Sequence, residues 1–277
     1  MTDGTYGVKD LYVTFGRNRA LEDVTLAIPA RQITAVVGGD GAGKSTLMRT
    51  LAGRYAPSAG LVAAPDARRI GYQSAASGSW ADLTVGENVA FVGASYGLSG
   101  ERLARRAEEL LGRAGLGDVR DRLAGDLSGG MRAKLGFCLA MLHEPDLLIL
   151  DEPTTGVDPV SRVEVWRLIS EAAADGASVV LATTYMDEAE RAASLLVLEN
   201  GRTLLSGSPE DVVASLPGAI VETTAARRPE FSWRRGSAHR EWWPAGAPEG
   251  EATIRPDLED VVIVASLREL QTHRGVR

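Results

Sequence analysis

The run Val36-Val37-Gly38-Gly39-Asp40-Gly41-Ala42-Gly43-Lys44-Ser45-Thr46 constrains this chain more than any other stretch. Gly38, Gly43, Lys44 and Ser45 fall at the spacing G-x-x-x-x-G-K-[ST]. Ile33 to Val37, just before, is a short β-branched apolar run that reads as a buried strand. Residues 44–52 read as a helix, with Leu47 and Leu51 on one face and Gly53 as its stop. A glycine loop between a buried strand and a helix start turns several backbone N–H groups towards one point. The helix dipole adds a positive end, so a polyphosphate is held with few side chains. Lys44 is expected to reach the outer phosphates and the Ser45 hydroxyl to take one place on Mg²⁺. The stretch predicts a site for a nucleoside triphosphate.

A chain of 277 residues suffices for one large core, or for one core and a small appendage. The net charge of −7 argues against broad nucleic-acid binding. The single cysteine, Cys138, excludes an internal disulfide framework, and its apolar helical surroundings make it a small core residue. The start, Met1-Thr2-Asp3-Gly4, has neither basic charge nor an apolar run, so no signal peptide is expected. No stretch approaches the roughly 18 apolar residues of a membrane helix. Any membrane-spanning step then needs another chain or domain.

Residues 8–28 alternate as two antiparallel strands around the turn Gly16-Arg17-Asn18-Arg19. Phe15, before the turn, presents either a flat face for an adenine or a core aromatic; spacing leaves both open. Residues 57–66 read as a loop and 69–72 as a strand, followed by a flexible connection over 74–79. Three helices are expected, at 85–96, 101–114 and 131–143. Before the last stands Leu127-Ser128-Gly129-Gly130-Met131, a second helix start suited to an anion, or simply an N-cap.

Leu147-Leu148-Ile149-Leu150 ends in Asp151-Glu152-Pro153, a central strand that delivers two acids to its C-terminal edge. Beside a phosphate loop, Asp151 suits Mg²⁺ through water and Glu152 suits the polarisation of an attacking water. Further on, residues 159–175 read as a helix that buries Val163, Trp166 and Ile169. Strands at 178–183 and 195–199 flank a helix at 186–193, and Asn200-Gly201 marks a hairpin. Ser208-Pro209-Glu210-Asp211 opens another helix. Beyond Pro217 the composition changes to Arg, Pro, Gly and Trp, including Arg234-Arg235 and Trp242-Trp243, as in a small accessory unit.

The ordered set GGDGAGKST, LSGGM, LLILDEPTTGVDP and TTYMDEAE, over about residues 8–216, resembles the ATP-binding subunit of an ABC transporter. The resemblance implies an α/β phosphate-loop ATPase core with an antiparallel β subdomain, and a helical subdomain inserted at about 76–143. Residues 1–216 form that ATPase domain and 217–277 an accessory one. ATP and Mg²⁺ are the implied ligands. The implied partners are a membrane-spanning permease and a second ATP-binding subunit, identical or different, whose LSGGM closes each site. That places the protein on the cytoplasmic face of the membrane. By position, Phe15 matches the adenine platform and Gly38, Gly39, Asp40, Gly41, Ala42, Gly43, Lys44, Ser45 and Thr46 the phosphate loop. Ser128, Gly129 and Gly130 match the signature loop, Asp151 the Mg²⁺ carboxylate, Glu152 the general base and Asp158 the loop that communicates across the dimer. The stretch 257–261 resembles subunits of the drug, antibiotic and polysaccharide efflux branch.

Two positions depart from the family. Its loop glutamine is replaced by Ala75, with Gln73 two residues early as a substitute metal contact. Its γ-phosphate histidine is replaced by Thr184. A threonine hydroxyl still donates a hydrogen bond but cannot become a cation. The expected function is ATP hydrolysis that drives an exporter, with Glu152, Lys44 and Thr184 at the reaction. The alternatives are a soluble ATPase of this type acting on nucleic acid or ribosomes, and a slow nucleotide switch in an asymmetric transporter.

Overall fold

Alternating burial along the first strands builds the outermost sheet. In β1 (Thr5–Phe15) Val8, Leu11 and Val13 point inward, and in β2 (Asn18–Pro29) so do Leu21, Val24, Leu26 and Ile28. The two pair antiparallel, with Phe15 opposite Asn18 across a tight turn. This computed structural model describes residues 5–76 and 78–274. The first four residues, on which the absence of a leader was argued, and Ser77 of the connection at 74–79 lie outside that range.

β3 (Ile33–Val37) is buried along its whole length and runs through the glycine loop into α1 (Lys44–Leu51). The chain then returns as β4 (Ala59–Ala63), antiparallel to β1. Residues 57–66 were expected as a loop. Within them 59–63 correct to a strand, and because β4 is an edge strand, exposed at Ala59, Gly60 and Leu61, it carries no apolar alternation.

The central sheet joins β3 to β5 (Ile70–Gln73), β6 (Leu147–Asp151), β7 (Ser178–Thr183), β8 (Ser194–Glu199) and β9 (Arg202–Gly207). Its order is β5-β6-β7-β3-β8-β9, parallel except for β9, which returns through the Asn200-Gly201 hairpin. Strands buried on both faces need layers on both sides. One face, with Val37, Leu148, Leu150, Val179 and Leu181, shares its core with helices from α2 (Val85–Ser95), α3 (Gly100–Arg113), α4 (Gly129–Met141) and α5 (Pro159–Ala174). The other, with Val36, Leu147, Ile149, Val180 and Leu196, packs on α1 and the outer sheet.

Two helical expectations change. Val163 is exposed rather than buried; Val165, Trp166 and Ile169 take the inner side of α5. The helix expected at 186–193 shortens to α6 (Met186–Ala189), because Ala193 N–H already donates to Ile33 O and pulls the chain into β8. After α7 (Pro209–Ala214), a three-stranded antiparallel sheet forms from β10 (Ala219–Thr223), β11 (Ser232–Arg235) and β12 (Ala238–Trp243), ordered β10-β12-β11. Helix α8 (Leu258–Arg274) joins two cores. Val264 meets Ile220 and Trp242 of the small sheet, while Leu258 and Val261 belong to the main core.

Candidate functional site

All strands of the central sheet but β9 point the same way, so their C-terminal ends bring distant segments to one edge. There stand the glycine loop after β3, Asp151-Glu152 after β6 and Thr184 after β7. Gly43 caps α1 with φ of 106°, and a Cβ there would lie 2.7 Å from a Leu21 methyl. Only glycine fits both constraints. The loop is braced from outside by the β8–β9 hairpin, where Gly201 N–H donates to Ala42 O and Glu22 N–H to Gly201 O.

An open cleft of about 520 Å³ runs along this loop, lined by Phe15, Arg19, Asp40, Lys44, Thr46 and Glu152 among others. Lys44, 4% exposed, donates to Gly38 O at 2.8 Å and Gly39 O at 3.1 Å. Its Nζ also lies 3.4 Å from Glu152 Oε1. Glu152 sits at φ 54°, a left-handed backbone that a non-glycine residue adopts only when its surroundings hold it. Its N–H donates to Ala182 O, and Oε2 accepts from Thr155 Oγ1 at 3.1 Å.

Ser45 Oγ donates to Asp151 Oδ1 at 2.9 Å. Tyr72 supplies a second contact, its hydroxyl 3.3 Å from Asp151 Oδ2. Burial, and then the neighbouring Asp151, raise the Tyr72 phenol above its ordinary range, so it stays a neutral donor. Among the described residues no three His, Cys, Asp or Glu side chains converge as a metal cage. A divalent cation beside Ser45 and Asp151 would therefore take its remaining oxygens from a phosphate ligand and water. That division fits Mg²⁺.

Phe15 is 45% exposed at the cleft mouth, with Tyr55 edge-on at 5.0 Å. Of the two readings left open by spacing, a core aromatic is excluded. Because Tyr72 faces Asp151, strand alternation turns Gln73 to the opposite face, where its amide donates to Ala133 O of α4. Gln73 also lines a crevice with Glu152. Ala75 lies in the exposed connection beyond it.

Ser128, Gly129 and Gly130 are not brought into the glycine-loop cleft. Ser128 caps α4 by accepting from Met131 N–H. Gly130 is pressed against α5, where a Cβ would come within 2.2 Å of Ser161 Oγ. Asp158 caps α5, accepting from Val160 and Ser161 N–H. Ser161, through its side chain and then its backbone, holds that carboxyl below the ordinary carboxylate range. Thr184 is exposed and shares a crevice with Gly39 and Asp40.

Sequence reasoning missed Tyr72, Tyr55 and the Asn200-Gly201 brace as parts of the site. An alternation argument applied to β5 and β6 together would have found Tyr72. Near the C-terminus, Arg235 pairs with Asp257 and Glu259, and Trp242 is buried and donates to Pro217 O.

The family model for ABC transporters matches residues 21–155. The chain is similar to the probable multidrug ABC transporter ATP-binding protein YbhF of Escherichia coli (strain K12), at 38% identity over 72% of this chain and 36% of that protein. It thus spans about a third of that relative's length. It is also similar to the daunorubicin/doxorubicin resistance ATP-binding protein DrrA of Streptomyces peucetius, at 37% identity over 76% of this chain and 67% of the other. With the Nod factor export ATP-binding protein I of Cupriavidus pinatubonensis it shares 36% identity, over 93% of this chain and 89% of that protein. A solved ATP-binding subunit of an ABC transporter superposes with a TM-score of 0.69 at 30% identity, covering 76% of this chain and 92% of that one.

Proposed function

The chain belongs to the ATP-binding proteins of ABC transporters, and from that premise we propose that it binds and hydrolyses ATP to drive a membrane-spanning partner, in the direction of export. The observation that carries this reading is the meeting of Lys44, Glu152, Ser45 and Asp151 at one cleft beside an exposed aromatic. Export is supported by relatives named for multidrug transport, drug resistance and Nod factor export. No helix among the described residues is long and apolar enough to cross a membrane.

The residues divide the work as follows. Backbone N–H groups of residues 39–46 and the start of α1 receive the phosphates. Lys44 exchanges its carbonyl contacts for the outer phosphate oxygens, and in doing so releases Glu152. The freed carboxylate orients and deprotonates the attacking water. Asp151, fixed by Ser45 and Tyr72, holds the metal-side geometry. Mg²⁺ bound there would offset negative charge on the phosphate oxygens as the terminal bond breaks. Phe15 stacks the base.

Ser128–Gly130 lie apart from this cleft, which supports a site completed by the same loop of a second ATP-binding subunit. Thr184 in place of an imidazole and Ala75 in place of a carboxamide favour slow turnover on this chain's own glycine loop. Losing one contact that tightens in the transition state typically costs about a hundredfold. The test is phosphate release by the complex that co-purifies with this chain from membranes, compared with its Thr184→His variant. A clear rise in turnover is expected for the variant. Absence of any membrane chain in the purified complex would overturn the transport reading, and an unchanged rate the slow-site reading.

A further inference from the structure

Glu188 of α6 is a carboxylate 1% exposed, and its partners come from three different segments. Oε1 accepts from Thr154 Oγ1 at 2.6 Å and from Arg162 Nη2 at 3.1 Å. Oε2 accepts from Thr183 Oγ1 at 2.6 Å, and Thr183 Oγ1 in turn accepts from Tyr185 N–H. Arg162 also pairs with Asp187 and lies over the Tyr185 ring at 4.1 Å. Each segment carries a residue of the site. Thr154 stands two residues after Glu152, Thr183 immediately precedes Thr184, and Arg162 lies on the first turn of the helix capped by Asp158.

A buried carboxylate is costly unless its oxygens are paired and hydrogen-bonded, and the bonds that satisfy Glu188 also orient its donors. Other buried polar groups, such as Asn88 and Glu241, tie loops that carry none of these residues. Apolar side chains could hold α6 to the sheet, but they would not set the direction of three hydroxyl and guanidinium donors. We propose that Glu188, with Arg162, is a positioning residue that fixes the Thr184 segment and the Glu152 segment as one body. The hydroxyl that stands where the imidazole is missing is thereby held at a constant distance from the general base rather than swinging to meet the nucleotide. This inference rests on the hydrolysis proposed above.

The test uses the full chain with its co-purifying membrane complex and measures three quantities: affinity for a fluorescent ATP analogue, kcat for phosphate release, and melting temperature. Glu188→Gln keeps the size but removes the charge that Arg162 meets. Thr183→Val removes one bond to Glu188, and Thr183→Ser keeps it. The expected result is affinity within about threefold of wild type with kcat down about tenfold or more for Glu188→Gln and Thr183→Val. Thr183→Ser should retain the wild-type kcat. A purely structural role would instead lower the melting temperature and leave kcat per folded molecule unchanged, and that outcome overturns the proposal. If Glu188→Gln does not fold, the Thr183 pair decides alone: equal kcat for valine and serine overturns it. Glu152→Gln is measured alongside. Should the wild-type complex release no phosphate from ATP, the hydrolysis reading has failed; should Glu152→Gln abolish turnover while the Glu188 and Thr183 variants match wild type, only the positioning role of Glu188 has failed.

Discussion

Lys44 and Glu152 are 3.4 Å apart, so each holds the other in place until a nucleotide arrives. Their removal should nevertheless look different. Lys44→Ala takes away the charge that the phosphates meet and leaves a void beneath the glycine loop; titration with a fluorescent ATP analogue should show no saturable binding. Glu152→Gln keeps the side-chain size and the oxygen that Thr155 bonds. It removes only the base, so affinity should survive while turnover falls by roughly 10²–10⁴. Single-turnover phosphate release on the bound complex separates the two, and a normal rate for Glu152→Gln would take the base away from that residue. Both residues were readable from spacing. Tyr72 was not, because its contact with Asp151 depends on which face of β5 it occupies.

At the scale of elements, α4 has a serine cap at one end and a pH-sensitive contact at the other. Ser128 caps its start; just past its end, His143 stacks on Tyr96 of the neighbouring helical hairpin at 3.6 Å between ring centres. His143 Nε2 donates to Ile70 O, which also identifies the tautomer. Burial lowers the His143 pKa from its ordinary 6.5, outweighing the opposing pull of the Ile70 carbonyl. Folded His143 therefore binds a proton less readily than the unfolded chain does. Stability is full above about pH 6.5 and falls as the pH drops below it, by at most about 1.4 kcal/mol per pH unit for one proton. Urea midpoints measured between pH 7.5 and 5.5 should show this fall, and His143→Gln should flatten that part of the slope despite losing the ring stack. An equal slope in both proteins would mean that other groups carry the acid sensitivity. The strand β4 marks the opposite limit of reading elements from a sequence: an exposed edge strand has no periodicity to detect.

At the scale of the molecule, the exposed aromatic pair Trp80–Phe91 is the feature that asks for a partner. The two rings meet edge to face at 4.5 Å, and both are about half exposed. Buried Asn88 fixes the Trp80 backbone from both sides, accepting from its N–H and donating to its carbonyl. A rigid, half-exposed aromatic fits the energetic centre of an interface. We expect Trp80→Ala to weaken co-purification with the membrane chain while leaving the nucleotide affinity of the isolated subunit unchanged. Unaltered assembly would rule out this face. At the far end of the molecule Arg235, Arg240, Trp233 and Trp242 are bonded into the small sheet and α8.

The sequence alone determined what local chemistry dictates. A glycine loop between an apolar strand and a helix, two acids ending a hydrophobic run, and the Asn200-Gly201 turn all act through neighbours in the chain, so Lys44, Ser45, Asp151 and Glu152 were legible together with the α/β class. Ala75 and Thr184 were legible as departures only through the resemblance to the family. Tertiary structure decided what depends on facing and on distance between segments. It turned Gln73 away from Asp151 and Tyr72 towards it, exposed Phe15 and Val163, and divided α8 between two cores. It also gathered Thr154, Arg162 and Thr183 around Glu188. A carboxylate in a helix reads as solvated from its own neighbours. Only the folding of three separate segments against the sheet removes it from water and supplies the donors that make its burial tolerable.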